Sequence, residues 1–500
     1  MIAGLGPALR LAAVLSAASP VPRGDVTAGI FPSNIYEVQP RRATSYYDLV
    51  YLSQVGQPLV DQNEVSEIIP GVAASWDISP DRKTYRFHIR EGLSFHDGTP
   101  LELEDVVYSL NQTVYSSDSA AYYYLNVLQG YEEGRGTKSC AGIRALPGRI
   151  IELRLSRPYT PLLRSLTSGA MVIGKRPRGG KEEGFIGTGP YRLVRKGDEA
   201  VLEAFAQYRG PYPPKIKRIR LVADSEAMTG KKRLSPAAMP DFTVLYHEDE
   251  MGRLDPREFN IIRRPGMITS GFYLNQNSPN LRLKQDRIGL IRALAHVTAT
   301  MPPGAPGAAL EDVYPAGMLG HKAKRESFRA LLGVSGAAAP SLGMKELTVG
   351  VFTPVQGGNE EFARRFLKET GVRVTFLQLT HQNMLEELSQ LKADVFFLRW
   401  KSVFLDPETS LTPFQIVKTF ELSPRSKRFA TLRREATAGV LNAERADAYG
   451  KIADLIFQDA LYFPVYQRDE LQAVRKNITF SGSIYRYSPM FSELQLKHGD

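Results

Sequence analysis

Apolar and polar positions alternate with period two along several short runs of the chain. "DVTAGIF" (25–31), "TYRFHIR" (84–90), "IIELRLS" (150–156), "YRLVRK" (191–196) and "KELTVGVF" (345–352) carry that pattern and predict strands. Other stretches space their apolar residues by three and four. "LEDVVYSLNQTV" (103–114), "DRIGLIRALAHVT" (286–298), "NEEFARRFLKET" (359–370) and "AERADAYGKIADLIFQDA" (443–460) predict helices with one core-facing stripe. The two kinds are interspersed from end to end, which points to an α/β chain with several sheets. No tandem repeat is visible. "SGAAAPSLGM" (335–344) reads as a loop inside a domain.

The helix predicted at 103–114 follows a dense polar stretch, "LSFHDGTP" (93–100). His96 and Asp97 invite a catalytic reading, but the local chemistry favours scaffolding. Asp97-Gly98 is a turn signal. Either Thr99 caps the helix with Pro100 as its first residue, or Glu102 heads it. Glu102, Glu104 and Asp105 then sit in or near the first turn, where the helix dipole favours acidic groups. Adjacent residues in a strand point to opposite faces, so His96 and Asp97 make a poor catalytic pair.

Composition narrows the possibilities. Five hundred residues exceed one ordinary core, so two or three domains are expected. With 43% hydrophobic and 23% charged residues, the chain is of folded, globular type. No run of about 18 apolar residues is present to form a membrane-spanning helix. The single cysteine, Cys140, excludes an intrachain disulfide and a cysteine-rich metal site. The seven histidines (88, 96, 247, 296, 321, 381 and 498) are dispersed with no His-x-x-x-His pair, so no metal is expected. Neither a Gly-x-Ser-x-Gly nor a Walker motif occurs, which argues against a hydrolase or a nucleotide-binding enzyme. No cofactor is implied. The net charge of +10 favours anionic contacts. Its densest clusters, "GKRPRGGK" (174–181) and "KIKRIR" (215–220), read as solvated basic faces, and no nucleic-acid partner is expected.

The start of the chain has a short apolar stretch, Leu9 to Ala18, ending in Ser16-Ala17-Ala18, which suits a signal-peptidase site. Export with removal of residues 1–18 is the expectation. No cysteine follows that stretch, so a lipid-anchored form is not expected.

"PGVAASWDISPDRKTYRFHIREGLSFHDGTPLELEDVVYSL" (70–110) closely resembles the signature region of the family 5 extracellular solute-binding proteins, the peptide, dipeptide and nickel receptors of ABC importers. "GTGPYRLV" (187–194), "FYLNQNSPNLRLKQDRIGLIRALAHVT" (272–298), "ADVFFLRW" (393–400), "DPETSL" (406–411) and "RADAYGKIADLIFQDALYFPVY" (445–466) are similar to further landmarks in the family's order. The resemblance runs from about residue 25 to 495.

It implies a periplasmic-binding-protein type II-like α/β fold, with two lobes around a cleft plus an extra domain. The implied layout is a possible signal segment at 1–24, lobe I from 25–55, 176–269 and 470–500, the extra domain at 56–175 and lobe II at 270–469. The chain would cross between lobes near Ser270 and Asp469. The implied function is a periplasmic or secreted monomeric receptor that delivers a peptide-like or other small organic ligand to ABC transporter membrane subunits. The alternative is a ligand sensor or regulator that retains a diverged binding domain; no helix-turn-helix pattern is visible in the 24 residues before Asp25.

The resemblance also implies ligand-binding positions. Thr44, Ser45 and Tyr46 match the first-lobe ligand loop, Tyr122 comes from the extra domain, and Tyr273 and Asn275 lie where the chain enters lobe II. Trp400 matches the lobe-II tryptophan. In oligopeptide-binding members an aspartate three residues beyond it pairs with the peptide α-amine, and that place holds Val403. Two arginines of those members fall on Leu388 and Phe397, and a further aromatic position falls on His381. Arg399 and Lys401 flank Trp400 as other sources of positive charge, subject to where strand alternation points them. Loss of the carboxylate implies that a free α-amine is poorly accommodated, because an unpaired buried ammonium costs several kcal/mol.

Overall fold

The computed structural model describes residues 25–29, 35–43, 46–116, 122–178, 184–196, 199–222, 239–245, 254–299, 301, 307–333, 339–351, 358–379, 390, 392–482 and 489–497. The described chain forms two compact units, one of Met1–Arg264 with Glu470–Asp500, the other Pro265–Asp469.

The first unit holds two cores. One draws on residues between Leu59 and Ile173, including Phe87, Phe95, Val106, Leu110, Ile151 and Leu153. It packs the helix α2 (Leu103–Val114) against an antiparallel sheet of four strands: β2 (Ala73–Ile78), β3 (Thr84–Ile89), β5 (Ile150–Arg154) and β4 (Ile143–Leu146), in that order. Burial along β3 alternates as the period-two pattern requires, with Tyr85, Phe87 and Ile89 inside. The second core lies on a mixed sheet. There β1 (Asp25–Gly29) runs parallel to both β8 (Arg218–Leu221) and β9 (Phe242–Leu245). The hairpin of β6 (Tyr191–Lys196) and β7 (Glu199–Ala204) extends it beyond β8. The helix α1 (Tyr46–Val55) buries Leu49, Val50, Leu52 and Val55 in this core.

Helix α2 begins where the acidic run predicts. Glu102, not Thr99, is its N-cap, in a capping box with Asp105; the Glu102 amide donates to Asp105 Oδ2 at 3.0 Å. Thr99 instead closes the turn before it. Its amide and hydroxyl donate to Asp97 Oδ1 at 3.0 and 2.7 Å, and Gly98 takes a φ of +82°, which glycine adopts at no steric cost. The helix also anchors Cys140, whose amide donates to Asn111 Oδ1 at 2.7 Å. Burial raises the Cys140 thiol pKa above its ordinary value, which suppresses the reactive thiolate.

The second unit carries three parallel strands, β12 (Arg373–Gln378), β11 (Glu346–Val351) and β13 (Val395–Lys401), with the end of β10 (Phe259–Leu274) antiparallel to β13. The helices α3 (Lys284–Ala299), α4 (Glu326–Leu332), α5 (Gly358–Thr370), α6 (Ser426–Ala438) and α7 (Asn442–Gln458) belong to this unit, and α6 packs along α7. The predicted helices at 286–298, 359–370 and 443–460 fall on α3, α5 and α7. The passages between units occur inside two long strands, β10 and β14 (Tyr462–Arg475). The division lies at Pro265 on β10, five residues before the Ser270 read from the sequence, because a continuous strand shows no break in pattern at that point.

Candidate functional site

The most informative wall is the β10–β13 ladder of the second unit. Its register is regular: Ile268 faces Lys401, Thr269 faces Trp400, Ser270 faces Arg399, Phe272 faces Phe397 and Tyr273 faces Phe396. Directly opposed residues of antiparallel strands share a face, and the face alternates along each strand. Phe397, Arg399 and Lys401 therefore share one face with Phe272, Ser270 and Ile268. Trp400 lies on the other, with Phe396 and Tyr273. Alternation thus carries Arg399 and Lys401 away from the indole and onto the face of Phe397.

On the Trp400 face, the indole Nε1 donates to the Thr409 carbonyl at 2.9 Å, which fixes the ring. Tyr273 is buried against Tyr462 and Phe414, with ring centroids 4.7 and 4.8 Å away. Burial, followed by the Tyr462 phenol, holds the Tyr273 pKa well above its ordinary value, so the hydroxyl stays neutral. The neighbouring Gly271 makes room for Tyr462, whose ring atoms lie 2.4–2.5 Å from where a Cβ would stand. On the opposite face, Phe397 packs on Phe272 at 4.8 Å, and Phe272 also stacks on Phe362 at 5.8 Å.

Asn275 is held both by its own loop and by the segment that enters β13. Its amide donates to the Ala393 carbonyl at 2.8 Å and its Oδ1 accepts from the Asn277 amide at 2.9 Å. Val403 stands two residues beyond the end of β13 and is partly buried. Thr44, Ser45, His381 and Leu388 lie outside the described residues, as do residues 1–24 and the side chains of Tyr46 and Tyr122. The backbone places Tyr46 at the first position of α1 and Tyr122 at the first position of the short helix Tyr122–Leu125.

Beyond Val403 lies a charge network that reading by motif missed. Asp406 is 1% exposed and caps the short helix Pro407–Ser410, accepting the Glu408 amide at 3.1 Å. It also takes Arg445 Nη2 at 2.5 Å and the Tyr449 hydroxyl at 3.2 Å. Glu408 is fully buried; its Oε1 accepts Arg433 Nε at 2.7 Å while Oε2 has no hydrogen bond. Nearby in sequence to α4, Arg325 is buried with all its donors engaged, on Asp312, Asp454 and the carbonyls of Gly320 and Gly450. "DPETSL" is legible as a landmark, but its arginine partners lie 25 and 39 residues away, beyond any local pattern.

In the first unit, His96 and Asp97 have separate structural partners. His96 Nε2 lies 3.1 Å from the Gly189 carbonyl, which only accepts, so this nitrogen carries the proton. The ring meets Phe205 edge-on at 5.0 Å. Burial lowers the His96 pKa to about 4. For Asp97, burial pushes upward, but the ion pair with Lys175 and the bonds from Thr99 outweigh it and hold the carboxyl at about 2. Among the described residues no group of three histidine, cysteine or acidic side chains is placed to hold a metal, and no helix is long and apolar enough to cross a membrane.

Comparison with known proteins adds three findings. Residues 67–296 match the model of "Bacterial extracellular solute-binding proteins, family 5 Middle". The dipeptide-binding protein of Escherichia coli K12 is 31% identical over 170 residues, which span 30% of this chain and only 31% of that relative. The periplasmic oligopeptide-binding protein of the same organism is 24% identical over 433 residues, covering 79% of this chain and 78% of that one. In structure, a dipeptide-binding protein from Pseudoalteromonas sp. SM9913, solved in complex with Met-Leu, superposes with a TM-score of 0.74 at 14% identity, covering 95% of this chain and all of that one. That likeness establishes the α/β fold of the type II periplasmic-binding proteins. Across 67–296, a little under half of its length, the chain is similar in sequence to the family 5 bacterial extracellular solute-binding proteins.

Proposed function

We propose that this protein is an extracytoplasmic receptor, periplasmic or secreted, that captures a peptide-like or other small organic solute and delivers it to the membrane subunits of an ABC transporter. The observation that carries this reading is the family match over 67–296, within a fold shared along 95% of the chain with a dipeptide-binding protein. The receptor acts as a binding protein and not as an enzyme. His96 and Asp97, the pair most suggestive of chemistry, are each engaged with structural partners. Native mass spectrometry of the purified protein tests the reading: a co-purified small organic solute supports it, and a protein that carries none and takes up none from a solute library refutes it.

The ligand class follows from Val403 and its surroundings. Ligand-facing roles are proposed for Thr44, Ser45, Tyr46, Tyr122, His381, Phe397, Trp400 and Val403, with Tyr273 and Asn275 supporting the wall from within. The carboxylate nearest to Val403 in sequence, Asp406, is committed to Arg445 and Tyr449. A cationic α-amine beside Val403 therefore lacks a ready partner, and ligands with a blocked or absent amine are favoured: blocked or cyclic peptides, oligosaccharides, or apolar-bodied anions. Calorimetry with free and N-acetylated peptides tests this. Micromolar binding of the free peptides alone overturns it and directs attention to the unpaired Oε2 of Glu408.

A further inference from the structure

On the Phe397 face of the β10–β13 ladder, two groups lack the partners their chemistry calls for. Ser270 is 0% exposed and its Oγ makes no hydrogen bond. A buried hydroxyl left unmet is destabilising, and native folds rarely retain one without a use or a bound partner. Directly across the ladder stands Arg399. Opposed residues place their Cβ atoms about 4.5–5.5 Å apart on the same face. The Arg399 side chain is exposed, and its guanidinium has no hydrogen bond or ion pair among the described residues. This sets it apart from Arg433 and Arg445 of the same unit, which are held by buried carboxylates.

The position in the sheet suits a ligand. Pairing of β11 with β13 covers Val349 to Val351 and ends at Phe397, so Arg399 projects past the carboxyl end of β11. In open α/β sheets, ligands bind beyond the carboxyl ends of the parallel strands. Two residues back on the same face, the Phe397 and Phe272 rings meet at 4.8 Å and form an apolar floor. A guanidinium fork, a hydroxyl donor and an aromatic floor together fit a carboxylate on an apolar body.

We propose that Arg399 and Ser270 form the subsite for the carboxylate of an organic-acid ligand. This rests on the receptor reading above and names the charge that its ligand carries. The guanidinium binds the two carboxylate oxygens side by side, and the Ser270 hydroxyl donates to one of them.

Calorimetry on the full chain tests it with N-acetyl dipeptides, such as N-acetyl-Met-Leu, each as the free acid and as the C-terminal amide. Acids are expected to bind at least about tenfold more tightly than amides, the ratio that corresponds to about 1.4 kcal/mol. Arg399→Ala should bring the acid down to the affinity of the amide while leaving the amide unchanged, and Arg399→Lys should retain part of the difference. Ser270→Ala should weaken acids by about threefold without lowering the ligand-free melting temperature, since it removes a hydroxyl with no internal bond. An acid-to-amide ratio near one in the wild type, or a ratio that survives Arg399→Ala, overturns the subsite but leaves the receptor reading standing. Binding of neither form also overturns it, and the receptor reading is then judged independently by the co-purified solute.

Discussion

The substitution His96→Gln isolates one imidazole whose protonation the fold resists. Glutamine keeps an N–H donor near the place of Nε2, within reach of the Gly189 carbonyl, but removes the titrating group. In the wild type, burial lowers the pKa to about 4 from the 6.5 expected of an unfolded chain. The sign follows from proton uptake. Between pH 6.5 and 4 the unfolded chain binds a proton that the folded chain declines, so the contribution of His96 is fully present above pH 6.5 and is lost as pH falls toward 4. The difference, 6.5 − 4, corresponds to about 3 kcal/mol at the limit, reduced to about 2 kcal/mol because the ring is only partly shielded from water. Asp97, held at about 2, does not titrate in this window. Urea unfolding of both proteins at pH 7.5 and 4.5 measures the effect. The wild type should lose about 2 kcal/mol more than His96→Gln over that interval. Ligand affinity at neutral pH should change by less than about threefold, below the 1.4 kcal/mol of a tenfold effect. Parallel pH dependence of the two proteins, or an NMR titration placing the His96 pKa near 6.5, would refute the burial argument. A larger loss of affinity in a folded variant would return this segment to the ligand site.

Arg445→Met should destabilise the second unit by about 3–5 kcal/mol in chemical unfolding, because it leaves the Asp406 carboxylate buried without its ion-pair partner. A loss below about 1 kcal/mol would mean that Tyr449 and the Glu408 amide suffice. Gly271→Ala should cost about 1–3 kcal/mol and lower the melting temperature, since the new methyl meets the Tyr462 ring at 2.4–2.5 Å. An unchanged melting temperature would show that Tyr462 moves aside freely.

Much of the architecture is written locally. Period-two and helical spacing located β3, β5, β6 and β11 and the helices α2, α3, α5 and α7, because side-chain direction repeats along each element and only one face is buried. The acidic run Glu102–Asp105 marked the start of α2, and the Asp97-Gly98 turn announced itself through residue type alone. Ordered motifs such as "ADVFFLRW" and "DPETSL" carried the family resemblance and pointed to Trp400 and Val403. What the sequence left open was which distant groups meet. The N-cap passed from Thr99 to Glu102 because the Asp97 carboxylate claimed the Thr99 donors and Asp105 reached back to Glu102. Asp406 found Arg445 and Tyr449 through the packing of α7, and Glu408 found Arg433 on α6, at separations no periodicity encodes. The pairing of Arg399 with Ser270 depends on the β10–β13 register, in which a slip of one residue would turn the guanidinium to the other face. Local pattern determines what each element presents; register and burial between distant elements determine which of those groups remains free for a ligand.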